Sequence, residues 1–117
     1  LISVCLDVGH WIVGGGDPVA ATRKFGSKIG HVHVKDVSQS VLEKMLNGGF
    51  ETMEDAVVQE KLFVPAGTGA LDLPELMRAL SDVGYKGWLM SEQDSAFEPS
   101  EEASKISMHN IKKALNK

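Results

Sequence analysis

The seven residues 30–36, GHVHVKD, alternate between polar and β-branched side chains. Because successive side chains of a β-strand point to opposite faces, this pattern predicts a strand with His31 and His33 on one face and Val32 and Val34 on the other. A strand that directs two imidazoles to one side and ends in Lys-Asp is a poor ordinary core element. The stretch therefore indicates the floor and rim of a functional site.

Two further stretches have strand character, and helical patterns separate the three predicted strands. Residues 1–7 place Ile2, Val4 and Leu6 on one face, residues 29–34 form the second strand, and residues 88–92 form the third. The last helix is expected to bury its apolar residues Ala103, Ile106, Ile111 and Ala114 or Leu115. Residues 63–70 are rich in Pro and Gly, which predicts a loop.

Strands that alternate with helices specify a parallel sheet with right-handed crossovers. Such a sheet is covered on both faces or closes into a barrel. The predicted fold class is therefore α/β, with parallel β/α units.

The overall composition excludes several classes of protein. The chain has 117 residues, enough for about one domain. A net charge of −4 without a Lys/Arg cluster argues against a nucleic-acid partner, and no apolar run approaches the roughly 20 residues that span a bilayer. A single cysteine, Cys5, excludes an internal disulfide and favours a reducing compartment. With no leader-like segment at its start, the chain is expected to be cytoplasmic.

One polar residue stands at the carboxyl end of each predicted strand: Asp7, His33 and Glu92. Ligands of parallel β/α proteins bind at this edge, and carboxylate and imidazole groups suit Mn²⁺, Mg²⁺, Co²⁺ or Zn²⁺. Taken singly, each residue has a simpler interpretation, as a turn former, a core histidine or a rim charge. Three such groups at three equivalent positions predict a metal site.

Other residues near these strand ends have two interpretations each. His10 is expected in the loop beyond Asp7, as a substrate contact and proton carrier or as an exposed loop residue. Lys35 and Asp36 could bind substrate hydroxyls, although a rim ion pair is the simpler expectation.

Residues deeper in the sheet are expected to pack instead. We expect His31 to support the site or pack beneath it, Cys5 to be a small barrel-core residue, and Trp88 and Met90 to lie in the core. His109, on the last helix, is expected at the surface.

The motifs, taken in order, resemble those of the xylose-isomerase-like TIM-barrel superfamily of sugar isomerases and epimerases, and within it they are most similar to the inosose dehydratases of myo-inositol catabolism. The residues that carry the resemblance are LDVGH at 6–10, GDP at 16–18, GHVHVKD at 30–36, GTG at 67–69, GYKGW at 84–88 and SEQD at 91–94.

The resemblance implies one divalent metal held by Glu, Asp, His and Glu at barrel strand ends. The last three correspond to Asp7, His33 and Glu92, and His10 corresponds to a substrate-contacting histidine. The first Glu would belong to a strand that precedes this chain. Sugar 3-epimerases of the superfamily carry an Arg six residues past the metal His, where this sequence has Gln39, which counts against that branch.

The implied activity is dehydration of a keto-inositol by a metal-dependent lyase. The metal would hold the ketone and neighbouring hydroxyl oxygens, with Glu92 or the missing Glu as base and His10 or Lys35 as acid. A metal-dependent sugar isomerase or epimerase, and a non-catalytic fragment or interaction domain, remain alternatives.

A barrel of this type takes about 250 residues. Residues 1–117 are therefore expected to be the C-terminal part of the barrel domain, about three of its eight βα units. A three-stranded sheet alone would expose its edges and an apolar face, so either more protein or a second copy in a homo-oligomer is expected to cover them. With one metal ligand missing, the 117 residues alone are expected to be inactive or nearly so.

Overall fold

The computed structural model describes residues 2–93 and 100–116. Three parallel strands form the central sheet, and their spatial order is the same as their order in the chain: β1 (Val4–Asp7), β2 (Ile29–Val34) and β5 (Leu89–Ser91). A separate two-stranded antiparallel ribbon pairs β3 (Asp36–Val37) with β4 (Phe63–Val64). The helices are α1 (Val8–Val13), α2 (Pro18–Phe25), α3 (Gln39–Leu46), α4 (Met53–Gln59), α5 (Leu73–Asp82) and α6 (Ser100–Leu115), with a 3₁₀ turn at Gly26–Lys28.

The parallel α/β prediction is confirmed, and the face assignments of β2 are confirmed with it. Val32 and Val34 are fully buried, whereas His31 and His33 are partly exposed on the opposite face. The buried face packs against α2, α5 and α6, which gives the larger hydrophobic core. In the part of the chain that the structure describes, no helix has the length and apolar character to cross a bilayer.

The other face of the sheet is open, which corrects three expectations. Trp88 is 81% exposed, and Met90 and Cys5 are also exposed rather than buried in a core. By strand parity all three residues lie on the same face of the sheet as His33. This is the exposed inner face expected of three neighbouring barrel strands in isolation.

Several predicted boundaries also change. Helix α3 begins at Gln39 instead of the predicted Ser40, because Ser38 accepts the hydrogen bond from the Val41 N–H. The predicted first strand is shortened to Val4–Asp7 and the third to Leu89–Ser91. In α6, Ala103, Ile111 and Ala114 are buried and Leu115 is exposed, while Pro99, the predicted start of this helix, lies outside the described residues.

The loop predicted over 63–70 begins instead with a strand, because Phe63 and Val64 pair with Val37 and Asp36. Phe63 is completely buried in a second small core formed with residues of α3 and α4. A two-residue strand offers no alternation to detect, so the sequence pattern did not show it.

Asp36 fastens the following loop to the end of β2. Its carboxylate is completely buried and accepts hydrogen bonds from four backbone N–H groups, at 2.8–3.0 Å. The donors are Val37, Gly67, Gly69 and Leu71. From the other side, Ser107 and Asn110 of α6 bind the backbone of Ala66. The expectation that Asp36 binds substrate or pairs with Lys35 is wrong, since both of its oxygens are occupied by the loop.

Replacement of Asp36 by Asn is expected to destabilise the protein. The amide turns one acceptor into a donor that faces backbone N–H groups, and the remaining hydrogen bonds lose their charge. We expect a loss of about 2–4 kcal/mol in the free energy of unfolding, measured by urea denaturation. Asp82→Asn is the matched control, since that exposed carboxylate pairs with the side chain of Arg23 at the surface. Equal losses for the two variants would contradict the assigned role of Asp36.

Candidate functional site

Asp7 ends β1 and also begins the next helix. Its Oδ1 accepts a hydrogen bond from the backbone N–H of His10 at 2.9 Å, which makes Asp7 the N-cap of α1. One carboxylate oxygen is thereby fixed by the backbone, and the other, Oδ2, faces the neighbouring strand. The helix places His10 in its first turn, so the expectation of a loop at His10 is wrong.

The parallel register brings His33 beside Asp7. The two residues are direct partners in the pairing of β1 with β2, and His33 Nδ1 lies 3.6 Å from Asp7 Oδ2. Glu92 follows β5, where its backbone N–H binds the carbonyl of Val34, and its Oε2 lies 3.0 Å from the same His33 nitrogen. The structure therefore brings together the three residues that the sequence predicted as metal ligands.

The geometry of these three residues is suited to one cation. One ligand atom from each lies within 4.8 Å of the others. Within the described residues, Glu92 Oε2 is buried and forms no hydrogen bond. This buried oxygen also lies 3.2 Å from the ammonium of Lys35, so positive charge already stabilises it, and a bound cation would share it with that ammonium. Two carboxylates and an imidazole match the donor preferences of Mn²⁺, Co²⁺ and Zn²⁺.

Lys35 supplies positive charge directly beneath the cluster. Its side chain is only 1% exposed, and its Nζ lies 3.4 Å from Asp7 Oδ2 and 3.2 Å from Glu92 Oε2. The ammonium also lies 4.8 Å from the centre of the Phe63 ring. Its aliphatic stem crosses α1 at Gly9, where a Cβ atom would come within 2.9 Å of three carbons of the lysine. The absence of a side chain at Gly9 therefore leaves the room that Lys35 needs to reach the two carboxylates.

The pKa of Asp7 reflects these contacts. Burial by itself raises the pKa of the carboxyl, but the His10 N–H and the positive charge of Lys35 favour the ionised form and hold the pKa below its ordinary value. Asp7 is therefore a carboxylate at neutral pH, the form that binds cations.

His10 lies at the mouth of the cluster. Its Nε2 is 4.0 Å from Asp7 Oδ2, its side chain is 44% exposed, and its ring packs 5.3 Å from that of Phe63. Phe63 thus contacts both His10 and Lys35, a role that sequence analysis missed because the residue was placed in a loop. His31 packs edge-on against His33 at 5.1 Å, below the cluster, as expected.

The model of one protein family matches residues 1–114, and its description is "Xylose isomerase-like TIM barrel". The chain belongs to this family. The family assignment and the TIM-barrel prediction are thereby confirmed.

Two curated proteins illustrate what this chain is similar to in sequence. The rhizopine catabolism protein MocC of Rhizobium meliloti is 39% identical over 93 residues, which cover 80% of this chain and 28% of MocC. The inosose dehydratase of Clostridium beijerinckii is 33% identical over 98 residues, or 82% of this chain and 32% of the enzyme. The chain therefore spans about a third of the length of the curated relatives it matches.

The fold comparison agrees with the family assignment. The structure of L-ribulose 3-epimerase superposes with a TM-score of 0.61 at 21% identity, covering 98% of this chain and 36% of the epimerase. A xylose isomerase domain protein from Planctomyces limnophilus gives a TM-score of 0.64 at 19% identity, over 96% of this chain and 35% of that one. These likenesses establish the fold.

Replacement of Lys35 by Met is expected to make the stability of the protein depend more strongly on added metal. Without the ammonium, Asp7 and Glu92 repel each other, and we expect metal-free protein to lose about 2 kcal/mol of stability. Mn²⁺ should then raise the melting temperature of Lys35→Met by more than it raises that of the unaltered protein, because no ammonium competes for the same oxygens.

Lys44→Met is the matched control. Lys44 also pairs with a carboxylate, Glu60, and lies 4.9 Å from the ring of Phe50, but it is exposed and its carboxylate partner does not belong to the cluster. An equal Mn²⁺ shift in all three proteins would show that Lys35 and the metal do not share the carboxylates.

Proposed function

We propose that this protein is a metal-dependent lyase that removes water from a keto-inositol, in the manner of an inosose dehydratase. Asp7, His33 and Glu92 bind the divalent cation, which is Mn²⁺, Co²⁺, Mg²⁺ or Zn²⁺. The observation that carries the proposal is the convergence of their ligand atoms within 4.8 Å at the carboxyl ends of three parallel strands. The similarity to an inosose dehydratase over most of this chain supports the choice of substrate.

The complete site extends beyond this chain in the proposal. Because the chain matches about a third of its relatives, the remaining barrel strands and a fourth ligand, a Glu, are assigned to the rest of a full-length protein. The open face of the three-stranded sheet, with Trp88 and Met90 exposed, is consistent with further barrel strands that cover it.

A divalent cation bound at this site supplies Lewis-acid polarisation of the substrate carbonyl oxygen, which makes the neighbouring C–H more acidic. The chain's own residues then handle the protons. Glu92, or the fourth ligand, accepts the proton from the carbon next to the carbonyl. The β-hydroxyl receives a proton and leaves as water, so the C–H and C–O bonds break and a C=C bond forms.

Exposure distinguishes the two candidate acids. His10 is open to the region above the cluster and can donate its proton from Nε2 to the leaving hydroxyl. Lys35 is buried beneath the carboxylates and is better placed to stabilise their charge than to reach a substrate. We therefore assign the proton donation to His10 and the electrostatic role to Lys35.

A sugar isomerase or epimerase on the same scaffold is the alternative reaction. It would remove the same kind of proton but return it to carbon without expelling hydroxide. The residue at the position of the epimerase Arg, Gln39, begins α3 and donates a hydrogen bond to Glu43 on its own helix at 2.8 Å. This contact directs the Gln39 side chain along its own helix, and the absence of an Arg at this position favours the lyase.

A non-catalytic fragment or interaction domain is the alternative of a different class. It predicts no bound metal after dialysis against Mn²⁺. Cytoplasmic location, a polyol or sugar-like substrate as the partner, and any homo-oligomer stay predictions, as does the lack of a nucleic-acid or membrane partner.

The Asp7→Asn variant of the full-length protein tests the proposal. Asparagine is as good an N-cap as aspartate, so α1 should persist while the site loses a negative ligand. We expect kcat/KM for 2-keto-myo-inositol to fall by at least about a hundredfold, an effect on the order of 3 kcal/mol. Asp17→Asn is the matched control, since Asp17 is the N-cap of α2 and lies outside the cluster.

The products separate the alternatives. A lyase gives one water and an unsaturated or diketone product for each substrate consumed, whereas an isomerase converts a panel of ketoses without loss of water. Full activity in Asp7→Asn, or no turnover and no bound Mn²⁺ in the unaltered full-length protein, would overturn the proposal.

A further inference from the structure

A cavity of about 410 Å³ adjoins the Asp7 side of the metal cluster. It lies between β1 and the first turns that follow it, and its size is typical of sites for small ligands. The residues that line it are Cys5, Asp7, His10, Trp11, Gly14 and Gly16. Two of these, Asp7 and His10, also belong to the site described above, whereas the remaining walls have no role in it.

Trp11 forms an apolar wall of this cavity, and its ring is held from two sides. The indole packs edge-on against Phe25, with ring centres 5.7 Å apart and an interplanar angle of 88°. On the other side it lies against Gly16, where a Cβ atom would come within 2.2 Å of the indole nitrogen. Only a glycine at position 16 leaves room for this ring position. The residue remains 38% exposed, so part of a fixed aromatic surface faces the cavity.

The part of the cavity wall that Asp7 and His10 form, next to Trp11, is polar. Asp7 Oδ2 and His10 Nε2 lie 4.0 Å apart and offer an acceptor and a ring nitrogen to a hydroxylated ligand. The cavity is therefore amphipathic, with the aromatic surface of Trp11 beside the hydrogen-bonding groups of Asp7 and His10. A ring polyol is amphipathic in the same way, since its C–H groups form an apolar face and its hydroxyls form a polar rim.

We propose that Trp11 is the residue against which the C–H face of a cyclitol or ring-form sugar packs, and that Gly16 is required to keep the indole in that position. This inference rests on the proposed function and adds a binding surface to it. Stacking on Trp11 fixes the ring plane, while His10 meets a hydroxyl at the rim, so one orientation of the ring is selected beside the cluster. A polyol lacking an apolar face would gain nothing from Trp11.

The test uses the full-length protein in four forms: unaltered, Trp11→Ala, Trp11→Phe and Gly16→Ala. Saturation-transfer NMR with myo-inositol reports contact between the ring hydrogens and the protein without requiring turnover. We expect the ring-hydrogen signals to be lost in Trp11→Ala and reduced in Gly16→Ala, which retains the indole but displaces it. KM for 2-keto-myo-inositol should rise about three- to tenfold in Trp11→Ala while kcat changes much less. Trp11→Phe should fall between, because a phenyl ring offers a smaller apolar surface.

Trp88→Phe is the control, because Trp88 is the other tryptophan of this chain and is not among the residues lining the cavity. Circular dichroism confirms that each variant is folded, and if Trp11→Ala is not, Gly16→Ala and Trp11→Phe decide the question. Unchanged ring-hydrogen signals and KM in those variants would overturn the inference while leaving the lyase proposal intact. Loss of the signals on altering Trp11, in a protein that does not dehydrate 2-keto-myo-inositol, would support polyol binding and refute the proposed reaction.

Discussion

A buried ammonium group between two carboxylates organises the polar end of this sheet. Lys35 is almost fully buried, and a charge removed from water must be compensated by opposite charge nearby. Asp7 and Glu92 supply that compensation from two different strands, and Phe63 faces the same ammonium. The requirement to pair this lysine therefore draws the ends of β1 and β5 toward β2, where His33 completes the cluster.

The two residues that follow β2, Lys35 and Asp36, have different structural roles. Lys35 is directed to the cluster, whereas Asp36 binds the backbone of the loop around residues 67–71. The loop is in turn held by Ser107 and Asn110 of the last helix. Charge placement at the cluster and placement of the loop thus depend on two adjacent residues.

The candidate ligands could be predicted because strand parity and topology are both encoded locally. Alternation placed His33 opposite Val32 and Val34, and the strand–helix order required parallel pairing, which collects strand ends at one edge. The role of Asp36 could not be predicted, since a buried carboxylate that binds backbone N–H groups has the same sequence appearance as an exposed rim charge. The helical position of His10 could not be predicted for a similar reason, since an Asp that ends a strand looks the same in the sequence whether or not it also serves as a helix N-cap.

The sequence by itself determined the alternation of strands and helices, the faces of β2 and the chemical identity of the three candidate ligands, because periodicity and capping act over a few residues. Only the tertiary structure decided that Lys35 lies beneath those ligands, that Phe63 joins Lys35 to His10, and that Gly16 makes room for the Trp11 ring. These contacts join residues distant in sequence or depend on the space left by a missing side chain. Such relations arise from packing in three dimensions, where no local pattern records them.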